Sequence, residues 1–240
     1  MSKNPFFRFK QFTVKQDLCA MKVCTDACVL GAWADVSAAE SILDIGTGTG
    51  LLALMIAQRN LTARIDAVEL DDGAVDQAVE NVGQSPFANR VQVVKSAIQA
   101  YQPEVRYDCI VSNPPFFQSD LRSPKASKNI AHHAELLTFD DLLSAIGRLI
   151  TPSGTFIILL PVDESRVFEE KAFALNWSAE TKLTLYHHSG KKPFRTLTRF
   201  RRAELVENAP INVPLCIYEE DGRTYHSEFI RLMKDYYLIF

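Results

Sequence analysis

No stretch of this 240-residue chain approaches the ~18 consecutive apolar residues of a membrane-spanning helix, although 47% of its residues are hydrophobic. The apolar content is dispersed, which disfavours disordered and fibrous classes and suits a packed interior. The opening MSKNPFFRFK carries charge but lacks the apolar centre of a secretory signal, so a soluble cytoplasmic protein is expected. Gly/Ser linkers, repeats and low-complexity tracts are also missing. One domain over 1–240 is expected, with 1–20 as a basic and aromatic N-terminal extension. The five cysteines lack a disulfide framework and read as free thiols of a reducing compartment. Cys19, Cys24 and Cys28 match neither a C-x2-C zinc pair nor an iron–sulfur loop, and no metal is expected.

A net charge of −3 lacks the global pull toward nucleic acid that a basic protein has. Any such contact must come from local clusters. One alternates with aromatics through Lys3, Phe6, Phe7, Arg8, Phe9, Lys10, Phe12 and Lys15. A second runs through Arg122, Lys125 and Lys128, and the densest holds Lys191, Lys192, Arg195, Arg199, Arg201 and Arg202. Each taken alone reads as solvated surface; together they matter if they surround one site.

Short β-branched runs at 41–46, 64–69, 90–95, 107–112 and 154–160 alternate with helix-like spacing at 49–59, 72–84, 138–150 and 163–175. That alternation predicts an α/β fold with a doubly wound, mostly parallel sheet. The segments LTLYHH and TLTRFRRAELV around the turn SGKKPFR predict a closing hairpin, which makes seven strands with the last antiparallel at the edge.

The run ILDIGTGTG places Gly46, Gly48 and Gly50 between a strand and a helix, where backbone must turn tightly and approach a ligand. A dinucleotide would need G-x-G-x-x-G, but here the third glycine comes one residue early and Leu51 follows. S-adenosylmethionine has no pyrophosphate to seat and carries cationic groups that Asp44 could face. Glu69, 19 residues after Gly50, stands where a carboxylate binds ribose hydroxyls. At the end of the next strand, Ser96 and Ala97 are candidates for the adenine contact.

The fourth of these strands runs into Asn113-Pro114-Pro115-Phe116-Phe117, where two prolines enforce a rigid extended turn. An exocyclic amine of a base is a weak nucleophile with two hydrogens to donate. If the Asn113 side-chain oxygen and the Pro114 carbonyl accept both, the nitrogen is drawn toward a pyramidal form by positioning rather than by a strong base. Phe116 would give an extruded base an aromatic face, with Phe117 assisting or filling the core. His132 follows the basic loop and faces RNA in this reading. Adjacent side chains diverge in both His132-His133 and His187-His188, which disfavours a chelate.

Glycine loop, Glu69 and Asn-Pro-Pro-Phe together resemble the class I (Rossmann-like) amino-methyltransferases. Within that group the chain is similar to the bacterial tRNA1(Val) adenine-N6-methyltransferases, on three further segments: Met21 to Asp26 with Leu30-Gly31-Ala32-Trp33, then Ile130-Ala131-His132-His133, and the ending Leu232 to Phe240. The resemblance implies S-adenosylmethionine as cofactor, a tRNA substrate modified at adenine-37, and cofactor contacts from Lys22, Thr25 and Asp26. Cys24 and Ala27 depart from the glycines common there. Lys191, Lys192 and Arg195 are then expected to hold tRNA phosphates, with the protein acting as a monomer. Rival readings are a guanine-N2 methyltransferase of ribosomal RNA, a glutamine-N5 methyltransferase of protein (which usually has Tyr in place of Phe116), a nicotinamide-dependent reductase and a non-enzymatic RNA-binding module.

Overall fold

The computed structural model describes residues 4–19, 21–114 and 137–240. A hairpin of β1 (Phe6–Arg8) and β2 (Thr13–Lys15) precedes helix α1 (Thr25–Trp33). Then come β3 (Ser41–Ile45), α2 (Leu51–Arg59), β4 (Arg64–Glu69), α3 (Asp72–Gly83), β5 (Val91–Lys95) and β6 (Tyr107–Ser112). They are followed by α4 (Phe139–Leu149), β7 (Ile150–Leu160), α5 (Val162–Ala174), β8 (Trp177–Tyr186), β9 (Arg195–Arg202), β10 (Ile211–Cys216) and α6 (Ser227–Met233). Acidic residues start α3 and α4 for a local reason. The Asp71 carboxylate accepts the Ala74 N–H at 2.9 Å, and Thr138 and Asp141 cap α4 reciprocally.

The main sheet has the order β10-β8-β9-β7-β6-β3-β4-β5. Strands β3 to β7 are parallel, and β9 runs antiparallel to both β7 and β8. The doubly wound, mostly parallel sheet is therefore as the sequence predicts, with two corrections. Antiparallel β9 lies inside the sheet, between β7 and β8, and not at its edge. An eighth strand, β10, pairs parallel with β8 and forms that edge. Pro214 hides β10 from sequence reading, because proline argues against an interior strand; at an edge its missing N–H costs little.

From β3 the chain winds one way to β4 and β5, while β6 and β7 lie on the other side. The crevice at the carboxyl ends of β3 and β6 is the topological switch point, where open α/β sheets bind ligands. One apolar core lies on the side of α1, α2 and α6, and a second against α4 and α5. Phe9, Phe12 and Val14 belong to the first core, as do Tyr236 and Tyr237 from the tail. The aromatic N-terminal arm thus packs into the body. Among the described residues no helix is long and apolar enough to cross a membrane.

Candidate functional site

Strand β3 delivers Asp44 and Ile45 to the carboxyl edge, and the chain then turns through Gly46, Gly48 and Gly50, with φ of 72°, 56° and 82°. These left-handed angles are strained for any residue with a Cβ, so the path of the loop itself demands glycine. The Gly46 and Thr47 amides both donate to the Val68 carbonyl, at 2.9 and 3.1 Å, and tie the loop to β4.

Asp44 is wholly buried. Its Oδ2 accepts the Thr47 hydroxyl at 2.5 Å, while its Oδ1 is buried without a partner among the described residues. Burial pushes the carboxyl up to about 7, with the Thr47 hydroxyl and Ala53 amide opposing and the Glu69 charge adding. A desolvated carboxylate with an unused oxygen is stabilised by an incoming cation, which fits the ammonium and sulfonium of S-adenosylmethionine. Glu69 is more committed than the sequence suggests: its Oε2 accepts the Gly48 amide at 2.9 Å, and its Oε1 accepts the Leu70 and Asp71 amides at 2.8 and 3.1 Å. A carboxylate has about four acceptor positions. One ribose hydroxyl fits as the group stands, and a second requires the Gly48 amide to be released.

The parallel register puts the other candidates on the same edge. Ile45 pairs with Ser112 and Val68, and Glu69 with Lys95. Asn113, Gly46, Glu69 and Ser96 therefore follow one another across the ends of β6, β3, β4 and β5. The Ser112 hydroxyl donates to the Ile45 carbonyl at 2.9 Å, locking the acceptor strand to the cofactor strand. Asn113 is half-buried, with its Oδ1 buried and unpartnered among the described residues, and Pro114 is buried. Ser96 spends its hydroxyl on the Ala97 carbonyl at 3.0 Å, so adenine recognition there falls to backbone groups or to a rotated hydroxyl. Pro115, Phe116, Phe117 and His132 lie outside the described residues, as do Arg122, Lys125 and Lys128.

Sequence reasoning missed what covers the glycine loop. Asn81, buried in α3, accepts the Lys15 amide at 2.8 Å and donates to the carbonyls of Lys15 and Thr49, each at 2.9 Å. One side chain thus joins the N-terminal strap, α3 and the loop. Gln77, one turn earlier, accepts the Leu18 amide at 3.0 Å. The strap brings the Cys19 sulfur to 3.9 Å from where a Cβ on Gly48 would stand. The available signal was Gln77 and Asn81 at i,i+4 on the face of α3 that carries Ala74, Ala78 and Val82.

Several residues expected at ligands also have partners within the protein. The Arg195 Nε donates to Asp26 Oδ2 at 2.9 Å, so a residue expected on tRNA is paired with one expected on the cofactor. Lys22 donates to the Gln16 carbonyl. Arg199 pairs with Asp35 and Glu180, Arg201 with Glu180, and Arg202 lies 3.9 Å over the Trp177 ring. Lys10 holds the tail carbonyls of Lys234 and Phe240, and Lys15 pairs with Glu80. Most of the basic-cluster residues that the structure describes are therefore internal ties. Lys191 and Lys192, exposed in the β8–β9 turn, have no ion-pair partner among the described residues.

Residues 27–150 match the family model "Methyltransferase small domain". A relative from Dyadobacter fermentans, tRNA1(Val) (adenine(37)-N6)-methyltransferase, is 59% identical over the full length of both chains. Relatives of the same name from Trichodesmium erythraeum and Phocaeicola vulgatus are 44% and 42% identical, each alignment covering 97% and 98% of both chains respectively. Among solved structures, a predicted O-methyltransferase from Agrobacterium tumefaciens superposes with a TM-score of 0.68 at 15% identity, over 88% of this chain and 96% of that one. P. horikoshii TYW2 in complex with MeSAdo superposes at 0.58 and 14% identity, over 82% of this chain and 70% of that one. These two show the fold. With a glycine loop and Asn113-Pro114 on one carboxyl edge and full-length identity at that level, the chain belongs to the family of tRNA1(Val) (adenine(37)-N6)-methyltransferases.

Proposed function

We propose that this protein is an S-adenosylmethionine-dependent methyltransferase acting on N6 of an adenine in tRNA, and that the acceptor is adenine-37 of tRNA1(Val). The observation that carries the reading is the buried Oδ1 of Asn113, unpartnered among the described residues, at the end of β6 next to the glycine loop of β3. A buried acceptor with no donor costs about 1–3 kcal/mol, and an amine N–H removes that cost. The full-length relatives supply the identity of the base and of the RNA.

S-adenosylmethionine supplies a methyl group made electrophilic by its positive sulfur. The chain's own residues do the rest. Asp44 offers its unused oxygen to positive charge, the Gly46–Gly50 loop leaves room for close backbone approach, and Glu69 takes a ribose hydroxyl. Ser96 and Ala97 border the adenine end, with Lys22, Thr25 and Asp26 closing the α1 side. Asn113 and the Pro114 carbonyl each accept one amine hydrogen, which aims the nitrogen lone pair away from them and toward the β3 loop. No side chain has to act as a strong base, since an alkylated amine is acidic and loses its proton after transfer. Phe116 and Phe117 provide the stacking face for the base.

The test is transfer of labelled methyl from S-adenosylmethionine to total tRNA, followed by nucleoside digestion. N6-methyladenosine is expected, and its position is read by sequencing the labelled tRNA. Label in N2-methylguanosine, or in ribosomal RNA only, overturns the reading in favour of the guanine rival.

A further inference from the structure

The β8–β9 turn carries an aromatic pair on the edge that holds Asn113. His187 and Phe194 stack face to face, with centroids 4.3 Å apart and planes 7° from parallel. Phe194 is half-buried and packs against the main core, whereas His187 is exposed. One face of the imidazole thus rests on a partly buried, core-packed ring, and the exposure of His187 leaves its other face open.

The surroundings are equally specific. The Phe194 amide donates to the Leu185 carbonyl at 3.0 Å, and the Arg195 guanidinium lies 5.8 Å from the Phe194 ring while its Nε holds Asp26. Arg195 therefore positions the pair by anchoring the start of β9 to α1. Lys191 and Lys192 project from the same turn. On its far side, Ser189 donates to Glu220 at 3.1 Å, and Glu219 and Asp221 line the depression behind it. A polyanion meets lysines on one flank and carboxylates on the other, which leaves it a path toward the crevice.

The register sets the distance to the acceptor. Ser112 pairs with Ile158 on β7, Ile158 with Thr198 on β9, and Thr198 with Lys182 on β8. Asn113 and His187 thus stand at the same end of strands three places apart, with His187 four residues further along, about 20 Å in all by strand geometry. A nucleotide several places from the target base comes within reach of His187.

We propose that the open face of His187, held flat by Phe194, is a stacking platform for a tRNA base several nucleotides from the methylated one, with Lys191 and Lys192 on the adjoining phosphates. Aromatic platforms flanked by cations are how single-stranded nucleic acid is gripped without base-specific hydrogen bonds. Pre-stacking on Phe194 removes the rotamer freedom an exposed imidazole would otherwise lose on binding. The platform rests on the tRNA reading above and extends it to a site outside the crevice.

The experiment compares wild type, His187→Ala and His187→Phe on the tRNA substrate, with S-adenosylhomocysteine binding measured alongside. Loss of one stacked base is worth about 1–3 kcal/mol, so His187→Ala is expected to raise KM for tRNA roughly tenfold at near-constant kcat. His187→Phe keeps a planar ring on Phe194 and is expected to return KM to within about twofold of wild type. Affinity for S-adenosylhomocysteine stays unchanged in both. An unaltered KM in His187→Ala, or a tenfold loss that His187→Phe fails to rescue, overturns the platform. If wild type methylates no tRNA at all, it is the proposed function that falls.

Discussion

On the two sides of the crevice, polar groups are used in opposite ways. On the β3–β4 side nearly every one is committed: Glu69 accepts three amides, Asn81 makes three hydrogen bonds, and the glycine loop is tied to Val68. On the β6–β9 side Asn113 keeps its oxygen unpartnered, His187 keeps a face open, and Lys191 and Lys192 stay unpaired among the described residues. The difference follows from the ligands. A small cofactor must be seated in one pose, so its side is rigid before binding. A base drawn from a larger RNA supplies donors and stacking surface itself, so its side holds those positions open. Asp44 is the exception on the rigid side, and its unused oxygen is where positive charge is expected.

The comparison breaks first at Asn113. If its oxygen orients the amine only in the reacting complex, Asn113→Ala lowers kcat for methyl transfer by about 10²–10³, the loss typical of a single pre-organised polar contact. S-adenosylhomocysteine affinity should stay within about twofold of wild type, because the contact belongs to the other side. Calorimetric titration and single-turnover transfer separate the two. Unchanged turnover in this variant would remove the proposed role.

Asp44 gives the next largest effect and one with a pH signature. Its carboxyl is pushed up to about 7 in the folded protein, against an ordinary value near 4. Between those values the native state holds a proton that the unfolded chain has released. The group's favourable contribution to stability is therefore complete at low pH and declines as pH rises through about 7. Binding of a cation has the opposite preference, since it needs the ionised form. Cofactor affinity should fall by up to about tenfold per unit as pH drops below 7, and level off above it. Asp44→Asn should weaken affinity by about tenfold or more at pH 8 and flatten the profile. A steep profile that survives the substitution would assign the proton to another group.

What could be read from the sequence divides along physical lines. Strand and helix alternation, the loop glycines and the Asn-Pro-Pro-Phe turn are local: periodicity, left-handed backbone and fixed proline φ are written in consecutive residues. The partners of charged residues are not. Arg195 and Asp26 are 169 positions apart, and Lys10 meets a carbonyl 230 positions away, so a basic run in sequence said nothing about which cations remain exposed. Strand β10 escaped because Pro214 weakens its pattern, and Asn81 because a polar residue on a helix reads as solvated until its neighbours are known. Asp44 shows the mixture: its place came from the motif, and its orphaned oxygen from the fold.

Asn81 sharpens the rigid half. Replacing it with Ala strands the Lys15 amide and the Thr49 carbonyl in a buried setting, a penalty of about 1–3 kcal/mol for each group left unmatched. Lower thermal stability is expected, together with a roughly tenfold loss of S-adenosylhomocysteine affinity as strap and loop come apart. The kcat at saturating cofactor should be little changed. A stability loss with unaltered affinity would separate the strap from cofactor binding.

The smallest effect distinguishes ties from contacts among the basic residues. Each lysine on a phosphate releases counterions, so Lys191→Ala and Lys192→Ala should each reduce the slope of log affinity for tRNA against log salt by about 0.7–0.9. Arg195 is spent on Asp26, in a pair that is 28% and 14% exposed. Arg195→Gln should therefore leave that slope nearly unchanged while lowering stability by about 1 kcal/mol, the order expected of a partly exposed pair. Denaturant midpoints and filter binding across a salt series read the two quantities independently. A slope reduction in Arg195→Gln as large as in the lysine variants would return the arginine to the RNA surface, and the division between committed and open groups would have to be redrawn at β9.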